Sequence, residues 1–395
     1  MSPKRGSLES GFFAKHKLWM AVSTLIGTII GAGILGIPYA VAKVGFLYGF
    51  ILIVVIGVSF LFLNLFLGEV VLRTKQQHQL TGYAEKYLGQ WGKKIMTFSI
   101  LLGIYGALTA YLIGEGTALH SIFAWGSPTM YTLIFFFFGF FIVYRGIKAT
   151  GKAELILTSL LILVVIAIGL FSFQNFNTNH FTARDFSRIL LPYGIIIFAF
   201  MGSSAIPQLQ EELEREKKKM KMAIIIGSLA PIILYLLFTM AIIGLVGVEH
   251  FELLQPNQRM ATVALSIYSS PLLGLFANLL AVLTMFTSFL TLSLALLGVY
   301  GLDYGLSRTM SLLLTFPFPL LVALLNLTTF IGVLEITGTI GGGLIGILIV
   351  LMYWKAKQSG ERKPEYSLPP LKVLGMVMML MFVLGLLYQL KVALF

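Results

Sequence analysis

The stretch Gly27-Thr28-Ile29-Ile30-Gly31-Ala32-Gly33-Ile34-Leu35-Gly36-Ile37-Pro38 interrupts the first long apolar run of the chain. Four glycines and a proline stand where a membrane-spanning helix should be continuous. In hydrocarbon an unpaired backbone N–H or C=O costs several kcal/mol, so irregular backbone survives only where it is buried in protein or lines a cavity. A helix broken there offers N–H groups at the start of one half and C=O groups at the end of the other. Such ends hold a carboxylate, an ammonium or a cation. The alternative is close helix packing, because Gly31, Ala32 and Gly33 are small residues of the kind that let helices approach.

The rest of the chain frames that choice. Of its 395 residues, 58% are hydrophobic and only 11% charged, with mean hydropathy +0.92. Soluble domains carry roughly 25% charged residues, so this is an all-α polytopic membrane protein whose solvent is the lipid bilayer. The formal charge of +12 invites a nucleic-acid partner. The basic residues fall between apolar runs and not along one face, so no nucleic acid is expected. With no cysteine, disulfides, thiolate metal sites and cysteine nucleophiles are excluded. No cleavable signal peptide is read, and residues 1–17 form a short basic tail.

Eleven apolar runs are long enough to span: 18–43, 47–72, 95–122, 130–145, 154–173, 189–209, 222–248, 271–300, 309–326, 329–354 and 371–394. With the N-terminus in the cytoplasm, 23 of the 28 Lys and Arg fall on the inner side, the sense in which basic residues orient a cell-membrane protein. The C-terminus is then extracytoplasmic. Residues 81–92 read as a short amphipathic helix at the inner surface. A short outer helix is expected within 249–270, and 355–370 form an inner linker.

The sixth run holds a second interruption, Phe198-Ala199-Phe200-Met201-Gly202-Ser203-Ser204-Ala205-Ile206-Pro207. Helices 1 and 6 are therefore both expected to be broken mid-membrane. Each opens a set of five helices, residues 18–173 and 189–354, with 371–395 as an eleventh helix. Interrupted segments at corresponding positions of two inverted halves point to a transporter's binding site.

These residues resemble a known group. The stretch GTIIGAGILGIPYAVAKVGF is similar to the first helix of the amino acid/auxin permease family, FAFMGSSAIPQLQEEL to its sixth and LTMFTSFLTLSLALLGVYGLDYG to its eighth. That family includes the sodium-coupled neutral amino acid transporters and, nearby, bacterial aromatic amino acid permeases, and the glycine motif is shared by the wider amino acid–polyamine–organocation superfamily. The resemblance implies a LeuT-type fold, a 5+5 inverted repeat with an eleventh helix. It also implies a secondary active transporter that imports a neutral amino acid by alternating access, aromatic or large apolar substrates included. By that resemblance the N–H groups of Ala32 and Gly33 hold the substrate carboxylate, and the carbonyls of Ile29, Phe198 and Met201 take the ammonium. Gly31 and Gly33 let a ligand approach the backbone, where a Cβ would obstruct it. Thr28, Tyr105, Thr109, Phe198, Phe200 and Gly202 complete the candidate substrate site.

Thr287 and Ser288 match a sodium-coordinating pair of that family, with carbonyls of Gly27, Ile30 and Thr284 as partners. Five hard oxygen donors suit a small hard cation. Sodium is thus the implied coupling ion, with a proton as the alternative, and no organic cofactor is expected. Glu115 and Glu335 lie inside spans, where a carboxylate is expensive. Each reads as a gate, a proton acceptor or a partner for a hydroxyl. Glu69 stands four residues before Arg73, the spacing of a helical ion pair. An intramembrane enzyme would need paired acids or a nucleophile with a base, and no His lies within a span interior. No phosphate-binding loop of the ATPase type is present. A non-transporting amino acid receptor of the same fold stays open, as does the oligomeric state.

Overall fold

The computed structural model describes residues 17–146, 151–172, 177–214 and 216–394, and these are helical with no strand among them. The basic tail 1–16, Lys148 and Arg215 lie outside the described residues. In chain order the helices are α1 (Lys17–Ile29), α2 (Gly33–Ala42), α3 (Phe46–Arg73), α4 (Leu80–Phe123), α5 (Pro128–Arg145) and α6 (Gly151–Ser172). They continue as α7 (Tyr193–Phe200), α8 (Ile206–Glu212), α9 (Met220–Val246), α10 (Val248–Leu253), α11 (Ala261–Tyr268) and α12 (Pro271–Gly298). The last are α13 (Arg308–Thr315), α14 (Pro317–Leu324), α15 (Phe330–Ile336), α16 (Gly343–Ser359) and α17 (Lys372–Leu394).

Seven of the described helices are long and apolar enough to cross a membrane, and the bent pair α1–α2 makes an eighth. The other expected spans correspond to α6, to the pair α7–α8 and to the pair α13–α14. Two short helices, α10 and α11, occupy the segment where one was expected. The short helix expected at 81–92 is set off from the third span at Gly89, whose φ of 73° and ψ of −166° are not helical, so α4 is two helices joined across a kink.

Both expected breaks are present. Helices α1 and α2 meet at 52° across Ile30, Gly31 and Ala32. Helix α7 ends at Phe200, Met201 leaves helical geometry with ψ 104°, and a single 3₁₀ turn, Ser203–Ala205, precedes α8. Helix α9 packs against α1, α2 and α3, while α4 packs against α12, α5 and α16. The broken pairs pack on the first of these groups, α1 and α2 against α9 and α7 and α8 against α3.

On the face where α3 and α16 end, one carboxylate gathers the chain. Glu69 is buried, and its Oε1 receives Nε of Arg73 at 2.8 Å and lies 2.6 Å from Nζ of Lys357. The Ser367 hydroxyl reaches the same oxygen at 3.1 Å, and the Leu368 amide donates to Oε2 at 2.7 Å. The ion pair expected from the Glu69–Arg73 spacing is therefore one strand of a larger knot. It straps residues 360–371 across the ends of α3 and α16, and Tyr366 adds a bond from its hydroxyl to the Leu65 carbonyl at 2.7 Å. Further out, Glu361 pairs with Lys86 at 2.6 Å and accepts from the Lys75 amide. The Lys86 ammonium, with that amide, holds the Glu361 carboxyl below the usual carboxylate range.

Glu69→Gln leaves Arg73 and Lys357 facing a neutral group in a largely dry site. Breaking a buried pair from one side costs about 3–5 kcal/mol. The purified variant should melt several degrees lower and be cleaved sooner within 360–371 under limited proteolysis. An unchanged melting curve with an unchanged digest would contradict this account of the strap.

Candidate functional site

A cavity of about 100 Å³ lies between the two helix breaks. One wall is the break of the first helix, with Thr28, Ile29, Gly31 and Gly33. Phe198, Met201, Gly202, Ser203 and Ser204 of the second break form another. Helix α4 closes the side with Ile100, Gly103, Ile104, Ala107 and Tyr111, a spacing of three and four that marks one helical face. Phe60, Leu292, Ala295 and Ile345 complete an apolar enclosure, and among the described residues no charged side chain lines it. Ser204 and Ala295 are exposed, and the lining extends to Leu80 at the start of α4. The cavity therefore runs from the breaks toward the face that carries the Glu69 knot.

The two breaks touch each other through glycine. A Cβ on Gly33 would stand 2.4 Å from Cα of Ala199, and one on Gly202 would stand 2.3 Å from Cγ1 of Ile29. A Cβ would force the Ala199 backbone to shift at Gly33 and the Ile29 side chain to shift at Gly202. Close packing and site formation, the two readings open for Gly31-Ala32-Gly33, thus coexist: Gly33 packs against α7 while also lining the cavity.

Polar side chains service the loosened backbone. Tyr235 of α9, fully buried, donates to the Ala199 carbonyl at 2.8 Å and to the Ile29 carbonyl at 3.0 Å. Buried Asn64 of α3 accepts from Ser203 at 2.9 Å and donates to Ser228 at 3.2 Å, fixing the second break to α3 and α9. Thr24 of α1 donates to Glu212 of α8 at 2.9 Å. The Phe198 carbonyl accepts from the Met201 amide at 3.1 Å. Each carbonyl has two lone pairs, so Ile29 and Phe198 each keep one for a further donor.

Of the expected substrate-site residues, Thr28, Ile29, Gly31, Gly33, Phe198, Met201 and Gly202 line the cavity, and Ala32 is buried within the break. Tyr105 and Thr109 lie elsewhere. Tyr105 is about 100° round the helix from Ile104, bonds the Tyr300 hydroxyl at 2.5 Å and the Leu314 carbonyl at 2.9 Å, and meets the ring of Phe318. Thr109 returns its hydroxyl to the Tyr105 carbonyl. Phe200 is buried behind the lining, between Phe60 and Tyr235. The residue of α4 that brings a polar tip to the break is Tyr111. Its hydroxyl and that of Ser288 converge on Gly31, at 3.0 and 3.3 Å from where a Cβ would be.

Of the hydroxyls in the expected sodium set, Ser288 stands beside the first break, where Ile30 itself lies. Thr287 donates to the Leu283 and Thr284 carbonyls of its own helix, and Thr284 to those of Leu280 and Ala281. Gly27 is partly exposed and Ile30 buried. Among the described residues no cluster of three His, Asp or Glu could hold a metal ion. Glu115 lies one turn beyond Tyr111 on α4, fully buried, and neither of its oxygens has a hydrogen-bond partner among the described residues. Glu335 is half-buried on α15, whose backbone abuts Gly194.

The chain matches the tryptophan/tyrosine permease family over residues 14–389. It is 27% identical to the tyrosine-specific transport system 1 of Haemophilus influenzae, over 87% of this chain and 89% of that protein. It is 26% identical to glutamine transporter 2 of Aliivibrio fischeri, over 82% and 85%. To the low affinity tryptophan permease of Proteus vulgaris it is 21% identical, over 89% and 92%. These matches correct the resemblance drawn from sequence to the amino acid/auxin permease family and its LeuT-type fold. Glycines and small residues at two helix breaks are what backbone exposure inside a membrane requires, so they mark a device used by more than one family.

The cavity's geometry is checked in the cysteine-free chain. Single cysteines placed at Ser204 or Ala295 should react with a water-soluble maleimide. Those placed at Thr109 or Phe200, buried away from the lining, should react at least about tenfold more slowly, since only local opening exposes them. Equal rates at all four positions would contradict the cavity described.

Proposed function

Because the chain belongs to the tryptophan/tyrosine permease family, we propose that it carries an aromatic or other large neutral amino acid across the cell membrane by alternating access. The observation that supports this most directly is the uncharged cavity between two broken helices. A zwitterion needs opposite partial charges at a fixed separation, and helix ends supply them without a charged side chain. The N–H groups of Ala32 and Gly33, at the start of α2, receive the carboxylate. The free lone pairs of the Ile29 and Phe198 carbonyls, with the Met201 carbonyl, receive the ammonium. The side chain then lies against Phe60, Ile104 and Leu292, with hydroxyls of Tyr111 and Ser204 near. Tyrosine, tryptophan and glutamine, the substrates named for the relatives, all pair a neutral side chain with a hydrogen-bonding group.

The architecture in this reading is two five-helix sets, 18–173 and 189–354, with helix 371–395 appended and the N-terminus in the cytoplasm. The equivalent positions of the two breaks and the bias of Lys and Arg support it. The cavity then faces the cytoplasm, the inward-facing half of the cycle.

For the coupling ion, the chemistry of Thr287, Ser288 and the carbonyls of Gly27, Ile30 and Thr284 supports sodium, bound where α12 meets the first break. A second reading is favoured by one observation: Glu115, buried and unpartnered, would carry a proton.

Proteoliposomes holding the purified protein should exchange internal unlabelled tyrosine, tryptophan or glutamine for labelled amino acid outside. If sodium is the coupling ion, replacing it by choline lowers uptake, and Thr287→Ala with Ser288→Ala raises the sodium concentration for half-maximal uptake about tenfold, the equivalent of about 1.4 kcal/mol. Equal uptake in sodium and choline removes sodium. In that case Glu115→Gln should flatten the pH dependence of uptake while exchange persists. Binding without any exchange would favour a receptor and end the transport reading.

A further inference from the structure

Tyr235 lies outside the cavity lining, yet it is the side chain that joins the two breaks. The carbonyls it meets are those of Ile29, the last residue of α1, and Ala199, the last but one of α7. Each is a helix-end carbonyl whose i+4 amide has left the helix. The same two residues make the glycine contacts across the breaks, Ile29 against Gly202 and Ala199 against Gly33. The phenol thus bridges the two points where one break touches the other. Its ring is held against Phe200, centroids 5.0 Å apart, and Phe200 is stacked on Phe60 of the cavity wall.

A tyrosine hydroxyl has one proton and here two buried acceptors. It satisfies one carbonyl fully and the other in part, and a donor arriving at either carbonyl releases the phenol proton to its partner. Contact at one break is therefore felt at the other through a single atom.

We propose that Tyr235 is a positioning residue that holds the two unwound segments at one fixed separation, so that they bind an amino acid as a single site. This rests on the reading of the cavity as the amino acid site. Without the hydroxyl, two buried carbonyls lose their common donor, and the segments can satisfy them only by moving apart or by admitting water. Binding weakens, while the chain's capacity to cycle does not depend on the phenol.

The test is Tyr235→Phe, which keeps the ring and removes only the hydroxyl. The KM for the exchanged amino acid should rise about tenfold, the weight of one buried hydrogen bond, with the maximal exchange rate within about twofold of the native chain. Protection of a single cysteine at Ser204 by amino acid should require the same tenfold higher concentration. Gly33→Ala is a second route to the same end, since its Cβ drives the Ala199 backbone away with the phenol in place. It should raise KM similarly, and the double variant should be little worse than either alone. A native KM in Tyr235→Phe, or a lowered maximal rate at native KM, overturns the proposal. If Tyr235→Phe does not accumulate in the membrane, a native KM in Gly33→Ala overturns it instead. Absence of exchange by the unmodified chain would fall on the reading of the site and not on Tyr235.

Discussion

A backbone polar group inside a membrane must find a partner, because hydrocarbon offers none. The two interrupted helices are the places where this protein strains that requirement, and its interior is arranged around meeting it. Tyr235 covers the carbonyls of Ile29 and Ala199. Asn64 covers Ser203 and reaches on to Ser228. Gly33 and Gly202 let each break lie directly on the other. Between the two breaks lies a cavity lined, among the described residues, by no charged side chain.

The scaffold around the breaks has two characters. Between the broken pairs and α9 the contacts are apolar packing and single hydroxyls, with Leu25 against Gly227 and the Tyr235 ring against Phe200. At the end of α3 the contacts are ionic, with Glu69 drawing Arg73, Lys357 and the segment 360–371 into one knot. A transporter needs both a rigid frame and a part that can move against it. The ionic knot supplies a fixed point at the strapped face.

Much of this was legible in the sequence, and the limits have physical causes. The breaks announce themselves, because glycine and proline in an apolar run oppose helix locally and need no knowledge of the fold. The helix ends agreed to within about five residues for the same reason, the kink at Gly89 included, which parts the short helix from the third span. The cavity-facing side of α4 was misplaced: Tyr105 and Thr109 were expected, and the face that lines the cavity runs through Ile104, Ala107 and Tyr111, because a face can be assigned only when its partner is known. Tyr235 gave no signal, since its acceptors are the carbonyls of Ile29, 206 positions away, and Ala199, 36 away. Carbonyls are common to every residue. The family was misjudged because the glycine motifs reflect a physical need that unrelated sequences meet alike.

The central claim is that the two breaks together bind the amino acid. It is tested most directly by an experimental structure of the purified protein with saturating tyrosine or tryptophan. The account predicts ligand density between Gly31–Gly33 and Phe198–Gly202, its carboxylate at the start of α2 and its side chain toward Phe60 and Ile104. Density elsewhere, with the space between the breaks filled only by water, would contradict it.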